Sequence, residues 1–371
     1  MFFRNGFDSS VRMFAVVRAA LAGLSALLGA LIVLLGLPYV AAQSAAVSVW
    51  SPEAVAAVHE PIGVSARPEA LAGIGAPMTI TVGARPFGLA FDGSRIWVAN
   101  TLSNTATLID ADTGDVVGDV PTGACPFGAA FDGSQIWISN YCAQTVNAID
   151  PVSSVAVLTS TVGNLPLNMA SDGTNLWVVN SSSGGTFVYT VSVIDQATGQ
   201  HVMTPTVGSG PTDIAFDGEN MWITNWGSHS VSVIRASDGQ HVMTPTVGLY
   251  PQGIAFDGVH MWIANGGGGS GNTLSVIRAS DGAHVMTPTV TTYPFDVAFD
   301  GRQIWVTGLA DSVVDVVSVS TGQVVTTLPV GQDPRGIVFD GENMWVSSFD
   351  EDVVVRFPIV RMEIFLPLLR R

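Results

Sequence analysis

At one recurring position, two residues after a proline, this chain carries glycine four times (Gly88, Gly128, Gly253, Gly336) and a polar residue three times (Asn168, Asp213, Asp296). Two carboxylates and an amide oxygen form a donor set that suits a hard cation such as Ca2+ or Mg2+. Arg335, beside Gly336, offers another use for the acids, as an ion-pair partner. The plain alternative is a set of solvated polar groups. Of the six histidines, only His229 falls on a loop where a general base would be useful. Trp226, Tyr250 and Tyr293, with Tyr141, occupy neighbouring loops and could form an aromatic rim for a sugar, a peptide or an aromatic ligand. His201, His241 and His284 recur in one phrase, His-Val-Met-Thr-Pro-Thr, and read as scaffold. There is no zinc spacing, haem-attachment Cys-x-x-Cys-His or Gly-x-Ser-x-Gly elbow.

The elements that position these residues are repeats. Seven copies of a phrase close to Phe-Asp-Gly-x-x-Ile-Trp-Val-x-Asn place tryptophans at 97, 137, 177, 222, 262, 305 and 345, with spacings of 40, 40, 45, 40, 43 and 40. A period of about 40–45 residues built from short strands predicts an all-β, seven-bladed β-propeller. In the first repeat, 86–92, 96–100, 105–110 and 116–120 read as four strands, with a tight turn at Asp92-Gly93. The second strand is apolar on both faces, so it needs cover on both sides, which neighbouring blades provide. The repeated tryptophan is then an inter-blade packing residue, and the seven Asp-Gly aspartates are turn formers. The segment from Pro77 to Gly83 matches the fourth-strand phrase ending at Gly248, and the seventh repeat lacks such a phrase. An N-terminal strand therefore completes the last blade and closes the ring. The additions that stretch two spacings fall at 181–186 and 266–271, between second and third strands, where loop variation on a rigid ring sets binding specificity.

Cys125 and Cys142 are the only cysteines. Extending the register of the turn that couples Asp132 with Gln135 puts them opposite each other, so a disulfide or two free thiols are the readings open. A disulfide closing this short loop would contribute about 3 kcal/mol at most.

Acids outnumber bases 30 to 14, and every base is arginine. Nucleic-acid binding, which needs clustered cations, and a lysine-dependent phosphate loop are therefore set aside. Residues 1–42 read as an export signal, with Arg4, Arg12 and Arg18 ahead of an apolar stretch ending near Val40. The rival reading is an uncleaved membrane anchor through residues 19–40. Both place the ring outside the cytoplasm. Residues 43–76 read as an Ala/Pro-rich linker, 77–360 as the propeller and 361–371 as a tail.

The Val-Gly-x-x-Pro entry, the Phe-Asp-Gly turn, the Trp-centred strand and the third strand ending in Val-Ile together resemble the YVTN-type and NHL-type propeller repeats over 77–358. That resemblance implies the fold, and a range of roles: binding scaffolds, sensor domains and, through related propellers, lactonases and a streptogramin lyase. The lyase group continues its tryptophan phrase with Phe-Thr-Glu, where this chain has Val-Ala-Asn or close variants, so catalytic residues do not carry over. The expectation is an exported binding scaffold presenting one loop face to a protein, peptide or glycan. The alternative is a metal-assisted lyase or lactonase using Asn168, Asp213, Asp296 and His229 at the channel mouth.

Overall fold

The computed structural model describes residues 73–182, 185 and 188–360; the expected export segment 1–42, residues 43–72 of the linker, part of the 181–186 addition and the tail 361–371 lie outside them. Among the described residues there is no helix. The strands form seven antiparallel sheets, each one repeat in sequence order from the axis outwards. In blade 1 the strands are Pro86–Phe91, Arg95–Asn100, Thr105–Asp110 and Val116–Pro121. Each first strand touches the first strand of the next blade, and Pro334–Phe339 of blade 7 returns to Pro86–Phe91. The chain is a seven-bladed β-propeller.

Closure uses the N-terminal segment. Met78–Thr81 pairs antiparallel with the third strand of blade 7, Val353–Val360, with Ile80 opposite Val354. A second piece, Gly73–Ile74, continues that outer edge opposite Val360 and Ile359. The closing edge thus includes residues ahead of Pro77.

The seven tryptophans carry the packing between blades. Each is at most 1% exposed. Trp97 packs with Ile136 and Ile138 of blade 2, and Trp345 with Ile96 and Val98 of blade 1. Burying one such ring is worth about 3 kcal/mol or more in transfer free energy. An indole N–H buried this deeply needs an acceptor. In every blade it donates to Oδ2 of the turn aspartate five residues earlier, at 2.7–2.8 Å. The other oxygen of that aspartate accepts the turn N–H groups two and three residues on, as in Asp300 with Arg302 and Gln303. The aspartates form the turns and also fix the tryptophans.

Every first strand carries a bulge just after its proline. In blade 1 the register runs Pro86 opposite Asn100, then Leu89 opposite Val98, leaving one extra residue on the first strand. The same irregularity recurs in the other six blades. It also corrects the register expected for the cysteines. Tyr141, not Cys142, stands opposite Cys125, whose carbonyl accepts the Tyr141 N–H at 2.9 Å. Cys125 and Cys142 are joined by a disulfide diagonally, with Cα atoms 5.3 Å apart.

Candidate functional site

The bulge decides what faces the axis. In a regular strand adjacent side chains point to opposite faces. Here both residues after the loop proline reach the channel mouth: Leu167 and Asn168, Thr212 and Asp213, Gln252 and Gly253, and Phe295 and Asp296 all line one cavity of about 340 Å3. Four blades pin this bulge to the next one through a second-strand hydroxyl. Ser139 donates to the Leu167 carbonyl at 2.6 Å, Thr224 to Gln252 at 2.7 Å, Thr307 to Arg335 at 3.3 Å and Ser347 to Phe87 at 2.7 Å. Each of those hydroxyls also accepts the N–H two residues after its own blade's proline. The glycines at that level permit close approach of blades: a Cβ on Gly88 would stand 2.6 Å from the Phe127 carbonyl, and one on Gly253 2.6 Å from Asp296 Cα.

The ring of residues directly after the prolines is strongly sided. Blades 6, 7, 1 and 2 contribute Phe295, Arg335, Phe87 and Phe127, whereas blades 3, 4 and 5 contribute Leu167, Thr212 and Gln252. The Phe87 ring centroid lies 3.7 Å from that of Phe127 and 5.8 Å from that of Phe295. The Arg335 guanidinium sits among three rings, 4.8 Å from Phe295, 5.3 Å from Phe349 and 5.6 Å from Phe87, an arrangement that attracts a cation to the ring faces. Its Nη2 donates to Asp333 Oδ2 at 2.7 Å. Arg335 therefore pairs with its neighbour Asp333 rather than with either channel acid, which corrects that expectation.

Asp213 and Asp296 act on their next blades. Asp213 accepts the Ile214 N–H at 2.8 Å and, across the interface, the Ile254 N–H at 2.9 Å. Asp296 accepts the Val297 N–H at 2.8 Å and the Ile337 N–H of blade 7 at 3.2 Å. Burial pushes the Asp213 carboxyl up to about 6, opposed by hydrogen bonds from Ile214, Ile254 and the Asn168 side chain. Burial, followed by the charge of Asp213, raises Asp296 well above the usual carboxylate range. Asn168, Asp213 and Asp296 are thus brought to one cavity. Among the described residues no group of three or more His, Cys, Asp or Glu is placed to hold a metal ion. The two carboxylates offer a divalent cation few free oxygens, so the donor set fits Ca2+ or Mg2+ poorly.

Trp226 and Tyr293 also line the cavity. Tyr250 stands behind Trp226, ring centroids 4.6 Å apart, and His229 meets the Tyr250 ring edge-on at 4.5 Å. Gly266 and Gly268 of the blade 5 addition lie against Tyr293 and Tyr250 respectively, where a side chain would crowd the rings. His229 Nδ1 accepts the Tyr250 N–H at 3.0 Å. In a neutral ring the proton then sits on Nε2, a donor, so this geometry disfavours the general-base role. The position explains the choice of residue. His229 has φ 53° and ends the loop before a third strand, as Asn104 and Asp352 do. Asn104 accepts the Cys125 N–H and Asp352 the Arg85 N–H, each at 2.7 Å. All three side chains staple one blade's loop to the residue before the next blade's proline.

A larger cavity, about 470 Å3, opens at the Asp-Gly turns of blades 4 and 5. Its arginines are already paired, Arg235 with Asp238 and Arg278 with Asp281. Most of its lining repeats from blade to blade, so the channel-mouth cavity is the better candidate.

No family model and no curated protein sequence matches the chain. Solved structures do. Hydrazine synthase from Kuenenia stuttgartiensis aligns with a TM-score of 0.66 and 18% identity, over 76% of this chain and 98% of that one. Virginiamycin B lyase from Staphylococcus aureus gives 0.64 and 17%, over 77% and 99%. A streptogramin B lyase structure gives 0.65 and 14%, over 76% and 97%. At these identities the likeness supports the propeller fold.

Proposed function

We propose that this chain is an exported binding propeller of the YVTN/NHL-like kind, which captures a small ligand, or the end of a peptide or glycan, in the channel-mouth cavity. The observation that carries this reading is the sidedness of the residues directly after the prolines in one cavity: Phe295, Arg335, Phe87 and Phe127 on one side, Leu167, Thr212 and Gln252 on the other, with Asp213 and Asp296 beside them. A uniform structural ring has no need of such differentiation, and a concave, partly aromatic pocket with a few convergent polar groups is the usual form of a ligand site. The Cys125–Cys142 disulfide fits an oxidising compartment outside the cytoplasm.

Trp226 supplies the test. Libraries of small molecules, peptides and glycans are screened by its fluorescence, and hits are confirmed by calorimetry. Thr212→Trp, which fills the cavity, abolishes binding of a true hit. Hits that bind Thr212→Trp unchanged place the ligand elsewhere and overturn the reading.

A second reading, lyase or lactonase chemistry, draws support from the acid pair, because buried carboxylates with raised pKa values can donate or accept protons near neutral pH. Turnover of lactones or cyclic depsipeptides that disappears in both Asp213→Asn and Asp296→Asn would favour it. Turnover retained in both variants, or absent in the wild type, sinks it.

A further inference from the structure

Resting on the pocket reading, we infer that the cavity takes an organic cation: a primary ammonium seated between Asp213 and Asp296, with an aromatic or aliphatic body against the phenylalanine wall. Both acids line the cavity, and Asp213 is only 8% exposed. Among the described residues neither meets an arginine or histidine side chain. The one cation of the cavity, Arg335, is directed to Asp333. A buried and a half-buried carboxylate without a counter-cation cost free energy in their charged forms, and a ligand cation offsets that cost.

The geometry also favours an ammonium over a metal ion. Each carboxylate already accepts two backbone N–H groups, and no third acid joins them. Ca2+ needs six to eight oxygens, and Mg2+ a near-octahedral set. An ammonium has three donors, which the remaining lone pairs of two carboxylates and the Gln252 or Thr212 side chains can accept. Arg335 occupies the faces of Phe295, Phe349 and Phe87, so its charge keeps a second cation off that wall. The charged or titratable groups facing the pair are Arg335, held by Asp333, and the Tyr293 phenol; the Asn168 amide lines the same cavity. A bound ammonium holds both acids ionised, so the proton they retain is released to the buffer.

The probes are 2-phenylethylamine, its neutral counterpart 2-phenylethanol, the anion 3-phenylpropionate, and MgCl2 and CaCl2, each titrated calorimetrically into the full chain at pH 6.5 in two buffers of different ionisation heat. The amine is expected to bind at least tenfold tighter than the alcohol and to release up to one proton. Asp213→Asn and Asp296→Asn should each weaken the amine at least tenfold and leave the alcohol unchanged, with unfolding curves confirming that both variants fold. Phenylalanine amide, which carries the ammonium of a peptide N-terminus, separates a peptide source from a free amine by its relative affinity. Binding of the alcohol or the anion as tight as that of the amine overturns the inference and leaves the pocket reading standing. So does Mg2+ or Ca2+ binding that depends on both acids while the amine fails. If no probe of any charge binds, the inference falls, and the pocket reading is decided by the Trp226 screen and the Thr212→Trp variant.

Discussion

Asp213 gives a prediction whose sign runs against that of most carboxylates. Its pKa is raised from 3.8 to about 6, with burial the largest cause. Between about pH 4 and 6 the folded protein therefore holds a proton that the unfolded chain has lost. Stability from this group is greatest below pH 4, falls as pH rises to about 6, and is level above. Two units correspond to on the order of 3 kcal/mol. Asp296, raised by burial and by the Asp213 charge, extends the fall to higher pH. The half-buried Asp110, Asp150 and Asp195 and the exposed Asp238, Asp281 and Asp311, whose pKa values are lowered mainly by hydrogen bonds, act in the opposite direction near pH 4. A single wild-type curve mixes the two, and the difference from Asp213→Asn separates them. The amide loses one acceptor for two N–H groups, which adds a constant offset but no slope. Urea unfolding, followed by tryptophan fluorescence at fixed ionic strength from pH 4 to 7.5, should show Asp213→Asn gaining about 3 kcal/mol on the wild type across that range. A difference flat to within about 0.5 kcal/mol, or one falling with pH, would falsify the reading of Asp213 as a buried acid without a counter-cation.

Two further tests address the scaffold. Asp300→Ala removes the acceptor of the Arg302 and Gln303 N–H groups and of the buried Trp305 indole, so a loss of about 3 kcal/mol is expected in urea unfolding; a loss under about 1 kcal/mol would mean that the indole bond matters little. In blade 6, Gly308 stands where five other blades have asparagine, and Thr291 where they have glycine, so a side chain on Gly308 would meet that of Thr291. Gly308→Asn should cost about 1–3 kcal/mol alone, and Thr291→Gly should recover at least about 1 kcal/mol of it in a double-mutant cycle; additive effects would refute the exchange.

The fold was legible because a packing device repeated seven times leaves a periodic trace. Trp97 and its six counterparts could be aligned by eye, and the Gly83-like ending before the first full repeat identified the closing strand. Residues governed by a local departure from strand geometry were not legible. Strict alternation points only one of two neighbours at the axis, so Asn168, Asp213 and Asp296 were visible while Phe87, Phe127, Leu167, Thr212, Gln252 and Phe295 were missed. The signal existed, since the residue after each loop proline varies from phenylalanine to threonine to arginine within an otherwise uniform phrase. The same bulge displaced the cysteine register by one residue. His229 misled for another reason. Its loop-end position is shared with Asn104 and Asp352, and all three supply one acceptor, a kinship of geometry that residue type conceals.

Near-identity of repeats is a poor measure of how specialised a propeller is. The Asp–Trp bond and the tryptophan packing are the same in every blade because each interface faces the same mechanical problem, so these residues dominate any comparison of repeats. The bulge turns two positions per blade towards the cavity. Their backbone is held by hydroxyls such as Ser139 and Thr224 and by close contact with the next blade; the first of the two, directly after the proline, is free to differ, while the second is confined by the next blade where it is glycine. At those positions the chain places three phenylalanines, one arginine and two aspartates around a single cavity. The chemistry of the cavity can therefore change without disturbing ring closure, and the uniformity of the remaining sequence is compatible with a selective site.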